Sequence, residues 1–263
     1  MPNIDKKRFA GFADLYSLVR PQPPQKVVEI ALGIQDKLRF ERVVDLGSGT
    51  GLSTIIWKAV SNSVVGIEPT EDMRNQARLD FPDLDFLDGT SYQTSLESSS
   101  ADVVQCSQAF HWMEPKTTLK EVDRILKKDG IFIILDCQWP VCWNWVAENA
   151  YNALVQKAKK VVRKFPELSE SSTQYPKEKH LENIRSSGFF AYCGSVLFDN
   201  VEACDARRFE GIALSQGLVQ SIVKKDISKI ENEIQELKVA CSHSHAKSMR
   251  VSYVLHYGVK SGT

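Results

Sequence analysis

More than any other stretch, residues 43–51 (Val-Val-Asp-Leu-Gly-Ser-Gly-Thr-Gly) restrict the folds open to this chain. An apolar pair and an acidic residue precede three glycines at alternate positions, and apolar residues then recur at helical spacing. Glycine reaches positive φ and lets the backbone approach a ligand closely. The stretch therefore predicts a buried strand, a tight turn and the start of a helix. Such a turn is a ligand site at the carboxyl end of a parallel strand, and a purely structural glycine turn is the alternative.

The rest of the chain repeats the alternation of strand and helix. The apolar runs predict seven strands at about 42–46, 64–68, 84–87, 102–106, 131–135, 191–198 and 249–257. Helical spacing covers about 24–38, 70–79, 117–127 and 180–187, and a long amphipathic helix is predicted over 221–240. Because strands alternate with helices, we predict an α/β, Rossmann-like, mostly parallel seven-stranded sheet with helices on both faces and right-handed crossovers.

Composition excludes several classes of protein. Lys plus Arg (33) balances Asp plus Glu (33), so a nucleic-acid partner is not expected. No apolar run approaches the roughly 20 residues of a membrane span, and the first residues lack a signal-peptide core. We therefore expect a cytoplasmic protein with no membrane partner, either a monomer or a homodimer.

The six cysteines are scattered and form no Cys-x-x-Cys pair, which is typical of reduced thiols rather than a disulfide frame. Cys106 and Cys137 lie in or beside apolar runs and are predicted core residues. His243 and His245 stand near Cys241, but without a second ligand cluster they are interpreted as part of a solvated loop. No metal site is predicted.

Three side chains after the glycine turn fit an adenosine-containing ligand. Glu68 ends the second predicted strand, where a carboxylate accepts both ribose hydroxyls of such a ligand. Asp88 ends the third strand, in reach of an adenine amino group. Met73 either lies against the adenine ring or belongs to the core of its own helix. A dinucleotide fingerprint would place its third glycine at residue 52, which is Leu, so a dehydrogenase is disfavoured.

The fourth strand leads into an aromatic-rich turn, Ser107-Gln-Ala-Phe-His-Trp-Met113. Active sites of open α/β sheets lie along this carboxyl edge. His111 and Trp112 are therefore candidate catalytic residues, and the alternative is a loop that packs on the helix beneath it.

Taken together, these motifs resemble a known family. Asp-x-Gly-x-Gly-x-Gly at 45–51 resembles motif I of the class I S-adenosylmethionine (SAM) dependent methyltransferases. Ala-Phe-His-Trp at 109–112, Gly-x-Glu-Pro at 66–69 and Tyr-x-x-x-Arg-Pro at 16–21 resemble the small-molecule subgroup, nearest to the trans-aconitate methyltransferase-like enzymes. The resemblance covers about residues 9–136. It departs at Gln22-Pro23-Pro24, where the family often has x-Tyr-Pro.

The resemblance implies SAM as the cofactor and assigns residues to it. Asp45, Gly47 and Gly49 would frame its methionine moiety, and Arg20 would meet its carboxylate. His111 and Trp112 would face the transferring methyl group or the acceptor. The residues predicted to bind the cofactor are Tyr16, Arg20, Asp45, Gly47, Ser48, Gly49, Gly51, Glu68, Met73, Asp88, Ser107 and Gln108.

A single domain, 1–263, is predicted in four parts. These are N-terminal lid helices (1–40), the SAM-binding core (41–136), a tryptophan-rich helical cap insertion (137–180) and the C-terminal part of the sheet (181–263).

The predicted function is methyl transfer to a small-molecule acceptor, such as a carboxylate or other oxygen nucleophile. A carboxylate acceptor needs only cations to position it, and an amine or phenol needs a base, for which His111 is the candidate. The candidate cations are Arg163, Lys164, Arg207 and Arg208. The alternatives are an RNA or protein methyltransferase with the same SAM site and a non-catalytic SAM-fold module that binds a partner through 221–240.

Overall fold

A computed structural model describes residues 18–168 and 174–262. These residues contain one sheet whose seven strands have the spatial order β3-β2-β1-β4-β5-β7-β6. Strand β7 runs antiparallel to both of its neighbours, and the other pairs are parallel. The predicted seven-stranded, mostly parallel sheet is confirmed. The strands are β1 (Phe40–Leu46), β2 (Ser61–Ile67), β3 (Asp85–Leu87), β4 (Ala101–Ser107), β5 (Leu126–Cys137), β6 (Phe190–Ala203) and β7 (Ser248–Lys260).

Eight α-helices lie within the same described residues. They are α1 (Lys26–Gln35), α2 (Glu71–Asp80), α3 (Pro115–Ile125), α4 (Trp145–Lys164), α5 (His180–Ser186), α6 (Ala206–Leu214), α7 (Gly217–Asp226) and α8 (Glu231–Ser242). The helix predicted directly after the glycine turn is a short 3-10 helix, Ile55–Val60, which buries Ile56 and Trp57. This helix is short because β2 already begins at Ser61, which leaves only residues 55–60 between the glycine loop and the strand.

The single long helix predicted over 221–240 is wrong. The segment contains most of α7, a 3-10 turn at Ile227–Lys229 and α8. Ser228 Oγ donates a hydrogen bond to Asp226 Oδ1 at 2.5 Å, and such local side-chain bonds compete with helix continuation. Ile227 belongs to the predicted apolar stripe, yet 46% of it is exposed.

The core occupies both faces of the sheet, because successive strand residues point to opposite sides. Val43 and Val103 face one apolar cluster, which includes residues of α1, α4, α6, α7 and α8. Val44 and Val104 face a second cluster, which includes residues of α3 and α5. Helices on both faces are thus confirmed. Helix α4, from the segment 137–180, belongs to the first cluster, and a cap function for this segment stays a prediction.

The remaining predictions about the chain concern its thiols and its ends. All six cysteines are free, and Cys106 and Cys137 are buried as predicted. His243 and His245 lie exposed in the loop after α8. Among the described residues, no helix is both long and apolar enough to cross a membrane. Tyr16 and most of the lid helix predicted before Pro21 lie outside the described residues.

Candidate functional site

The glycine turn after β1 uses its three glycines for different purposes. All three have positive φ: +69° at Gly47, +54° at Gly49 and +85° at Gly51. A Cβ atom on Gly47 would lie 2.7 Å from the Ala109 Cβ, and one on Gly51 would lie 2.7 Å from the Phe81 ring. A Cβ on Gly49 would meet no atom within 4 Å. Close packing therefore requires the outer glycines, and Gly49 is where the turn faces open space.

The turn is fixed to the ends of β1 and β2. The backbone N–H groups of Gly47 and Ser48 both donate to the Ile67 carbonyl, at 2.8 and 3.2 Å. Beneath the turn, Asp45 Oδ2 accepts hydrogen bonds from the Ser53 and Thr54 hydroxyls, both at 2.7 Å. Burial raises the pKa of Asp45 to about 6, against the effect of these hydroxyls. Asp45 is thus buried beneath the turn and holds the residues that follow it through the Ser53 and Thr54 hydroxyls.

Glu68 follows β2 and points its carboxylate at the same turn. Its Oε2 accepts the Gly49 N–H at 3.0 Å, and its Oε1 accepts the Thr70 N–H at 2.9 Å. Burial raises the pKa of this carboxyl group. The Thr70 side chain also hydrogen-bonds this carboxylate, which leaves part of the roughly four lone-pair positions of its two oxygens for a ligand. This arrangement fits a ligand that donates a pair of hydroxyl hydrogen bonds.

Arg74, on α2, joins the ends of β2 and β3 and was not predicted. Its Nη1 donates to the Glu68 carbonyl at 2.7 Å and pairs with Asp88 Oδ1 at 3.0 Å. The Arg74 side chain is 11% exposed and that of Asp88 is 64% exposed. Met73 is 3% exposed, as its core alternative predicts. No sequence signal separates Arg74 from the solvated arginines of an ordinary helix.

The aromatic turn after β4 lies at the carboxyl edge of the sheet. Gln108 has a φ of +53°, and its N–H donates to the Leu135 carbonyl at 2.8 Å, which ties the turn beside Ser107 to β5. Phe110 is buried, and the rings of His111 and Trp112 lie 4.8 Å apart in partly exposed positions. The buried phenylalanine anchors the turn, so His111 and Trp112 stand at the edge where they are predicted.

Asp136, near the end of β5, gathers cationic and imidazole groups that were not predicted to meet. Its Oδ1 lies 2.6 Å from Lys177 Nζ and 3.8 Å from His111 Nδ1. Its Oδ2 lies 3.4 Å from Nε2 of His180, the first residue of α5. Burial lowers the pKa of His180 to about 4. The available sequence signal is an acidic residue directly after the apolar run Ile131–Leu135.

Arg20 contacts the residue after α6 and the segment after β5. Its Nη2 donates to the Ser215 carbonyl at 2.8 Å, and its guanidinium carbon lies 4.8 Å from the centre of the Trp139 ring. Its role toward a cofactor carboxylate stays a prediction. Arg208, one of the candidate cations for an acceptor, pairs with Glu202 and donates to the Val19 carbonyl at 3.3 Å.

The site elements coincide with a known domain. Residues 44–134, from inside β1 to inside β5, match the family model described as a methyltransferase domain. The likeness to this family therefore covers about a third of the chain. Its sheet, with the antiparallel β7 between β5 and β6, has the class I methyltransferase fold.

Relatives of this methyltransferase domain occur in bacteria and in yeast. A methyltransferase-like protein of Schizosaccharomyces pombe is 31% identical over 135 residues, which cover 48% of this chain and 50% of the relative. A ubiquinone/menaquinone biosynthesis C-methyltransferase of Campylobacter jejuni is 26% identical over 166 residues, which cover 56% and 70%. A candidate type II methyltransferase from Anaeromyxobacter dehalogenans aligns with a TM-score of 0.64 at 17% identity, over 92% of this chain and 97% of that one. The chain thus spans about half the length of its yeast relative, and the structural likeness shows the fold.

Proposed function

We propose that this chain is a SAM-dependent methyltransferase that acts on a small molecule through a carboxylate or another oxygen nucleophile. The observation that carries the proposal is the opening at Gly49 beside the Glu68 carboxylate, within a matched methyltransferase domain. The resemblance of the aromatic turn and of Tyr16-x-x-x-Arg20-Pro21 to the trans-aconitate methyltransferase-like enzymes supports a small acceptor.

The adenosine part of SAM fits the β1–β2–β3 edge. Glu68 offers acceptors for the two ribose hydroxyls, and Asp88, held by Arg74, offers one for the adenine amino group. The open space at Gly49 is the cradle that lets the ligand approach the backbone. When bound, SAM supplies a methyl group already activated on a sulfonium.

The acceptor would lie at the β4–β5 edge, where the chain must align a nucleophile and exclude water. Alignment of this kind lowers a barrier by roughly 7–11 kcal/mol. A carboxylate acceptor would be positioned by Lys177, which pairs with Asp136, and by Arg20, whose guanidinium lies against the Trp139 ring just after β5. For a hydroxyl acceptor, His111 would take the proton, and Asp136 would orient its imidazole and stabilise the resulting charge.

A second candidate function is methylation of a ring carbon beside a phenolic oxygen. The His111–Asp136 pair supplies the base that a phenol requires, and the Campylobacter jejuni relative is named as a C-methyltransferase. A screen of small carboxylates and phenols with radiolabelled methyl SAM would separate the two functions by the position of the label.

Cofactor binding is tested by a matched pair of glycine variants. Gly49 and Gly188 both have positive φ (+54° and +78°), and neither would place a Cβ within 4 Å of another atom. Gly49→Ala and Gly188→Ala therefore introduce similar backbone strain, but only the first adds a methyl group where the ligand is expected. In calorimetry with S-adenosylhomocysteine (SAH), we expect Gly49→Ala to weaken binding at least about tenfold and Gly188→Ala to leave it unchanged. A wild-type chain that binds neither SAM nor SAH would overturn the proposal.

A further inference from the structure

Three ligand-type side chains meet at the carboxyl edge of β5. We name His111, Asp136 and His180 the imidazole–carboxylate cluster. One donor atom from each can be chosen so that all three lie within 4.8 Å of one another, and all three residues are largely enclosed by protein. They come from the turn after β4, the end of β5 and the start of α5.

His180 is the member whose environment points to a ligand. Its side chain is 0% exposed, and neither ring nitrogen has a hydrogen-bond partner among the described residues. The edge of the ring packs against Phe110, with centroids 5.0 Å apart. A buried polar group without a partner costs free energy, and native proteins keep few of them unless something binds there.

We propose that the imidazole–carboxylate cluster binds a divalent metal ion of the zinc class. Asp136 Oδ2 lies 3.4 Å from His180 Nε2 and its Oδ1 lies 3.8 Å from His111 Nδ1, and one ligand atom from each residue lies within 4.8 Å of the other two. Ligands that surround zinc tetrahedrally at about 2.0–2.2 Å stand roughly 3.4 Å apart, so small shifts close the site. Two imidazoles and one carboxylate suit zinc or cobalt rather than magnesium or calcium, which prefer oxygen ligands. Three protein ligands also leave one position for an exogenous oxygen.

Lys177 is the competitor for this site. Its ammonium lies 2.6 Å from Asp136 Oδ1 and 3.2 Å from Gln108 Oε1, and its side chain is 37% exposed. An ammonium and a divalent cation repel each other at this distance, so the metal must displace Lys177 from the carboxylate. The side chain stands on a one-turn 3-10 helix, Lys177–Lys179, which contains no buried residue, and its exposed ammonium can move into solvent. Lys177 thus pairs with Asp136 in the metal-free protein and lowers the affinity for the ion.

The competition gives two variants with opposite expected effects. The test titrates Co²⁺ into the full chain without SAM and follows the visible absorption, and calorimetry repeats it with Zn²⁺. We expect one ion per chain in the wild type. His180→Leu fills the same buried space and should weaken binding at least about 100-fold, the upper end of what loss of an outer-shell partner costs. Lys177→Gln removes the competing charge and should bind the ion several-fold more tightly.

Surface histidines provide the control. His243→Ala with His245→Ala removes two exposed imidazoles and should leave the titration unchanged. Equal cobalt absorption in the wild type and in His180→Leu would overturn the proposal, and so would an unchanged affinity in Lys177→Gln. If His180→Leu does not fold, as judged by circular dichroism, His111→Ala replaces it with the same expected loss. SAH affinity is measured separately on each variant. A failure of the proposed cofactor site can therefore be told apart from a failure of the proposed metal site.

Discussion

Buried carboxylates stand at two places on the same sheet edge, and their surroundings differ. At the β1–β2 end, Asp45 accepts two hydroxyls and Glu68 accepts two backbone N–H groups. At the β5 end, Asp136 faces an ammonium and two imidazoles. The first carboxylates accept from neutral hydroxyl and backbone N–H groups, although the Arg74 guanidinium lies nearby on the Glu68 carbonyl, and the second faces groups that carry or can gain positive charge.

The difference shows what each region is built to bind. Neutral donors hold Glu68 in place while part of its acceptor capacity stays open, which suits the hydroxyls of a nucleoside. A single carboxylate among one ammonium and two imidazoles suits the cation site and the proton transfer that we propose there. We call the β1–β2–β3 part of this edge the fixed half, because hydrogen bonds hold its carboxylates in place. We call the β5 part the adjustable half, because the charged partners of Asp136 can change.

The largest expected effect follows from removing the carboxylate of each half. Glu68→Ala should weaken SAH binding at least about 100-fold, because hydrogen bonds to a charged group are worth roughly 1.5–3 kcal/mol each. Asp136→Asn should change SAH affinity by less than about threefold, because the adenosine groups do not use it. Calorimetry measures both. Equal losses in the two variants would show that the halves do not act separately.

A pH experiment sharpens the comparison at Asp45. Its pKa of about 6 in the folded state lies above the ordinary value of 3.8 because the carboxyl group is buried. The folded state therefore holds the proton more tightly, and this contribution to stability is complete below pH 3.8 and is lost as the pH rises through about 6. Relative to Asp45→Asn, the wild type should gain up to about 3 kcal/mol between pH 7 and pH 4. Urea unfolding at several pH values measures the gain, and a constant difference would contradict the assignment.

The smallest effect is expected at the ion pair that holds Asp88. Arg74→Leu frees Asp88 and removes a donor to the Glu68 carbonyl, so SAH affinity should fall about tenfold. Arg78→Leu is the matched control on the same helix. Arg78 donates to the Phe86 carbonyl, and its loss should leave SAH affinity unchanged. If Arg78→Leu weakened binding as much as Arg74→Leu, the effect would come from α2 as a whole.

The fixed half of the edge was the predictable half. Its three carboxylates lie in or directly after strands that the sequence pattern marks, and the glycine spacing and Glu68 are local signals, whereas Arg74 on α2 has no such signal. The adjustable half joins Asp136 to Lys177 and His180, which follow more than 40 residues later, and only tertiary packing brings them together. In the sequence, Lys177 looks like an ordinary solvent-exposed lysine. Asp136 looks like a polar residue at the end of a strand, so neither residue indicates the site.

The errors in the helices have the same origin. The apolar stripe through Ile227 and Ile230 continues across the break between α7 and α8, so spacing alone does not reveal the break. At the break, Asp226 leaves helical backbone angles (φ −161°, ψ 82°) and accepts a local hydrogen bond from Ser228, of a kind that competes with helix continuation. Helix α6 was missed, although Asp205 caps it by accepting the Arg208 N–H at 2.8 Å. A capping aspartate was the signal that could have found it.

The position of β7 has a consequence for synthesis on the ribosome. Ser248–Lys260 inserts between β5 and β6 and pairs with both, although the other six strands of the described sheet precede it in the chain. The apolar edge of β5, Ile131–Leu135, therefore has no partner on one side until these last strand residues emerge. An open strand edge invites pairing with other chains. The nascent polypeptide must protect this edge during translation, and a chain interrupted before residue 248 would expose it permanently.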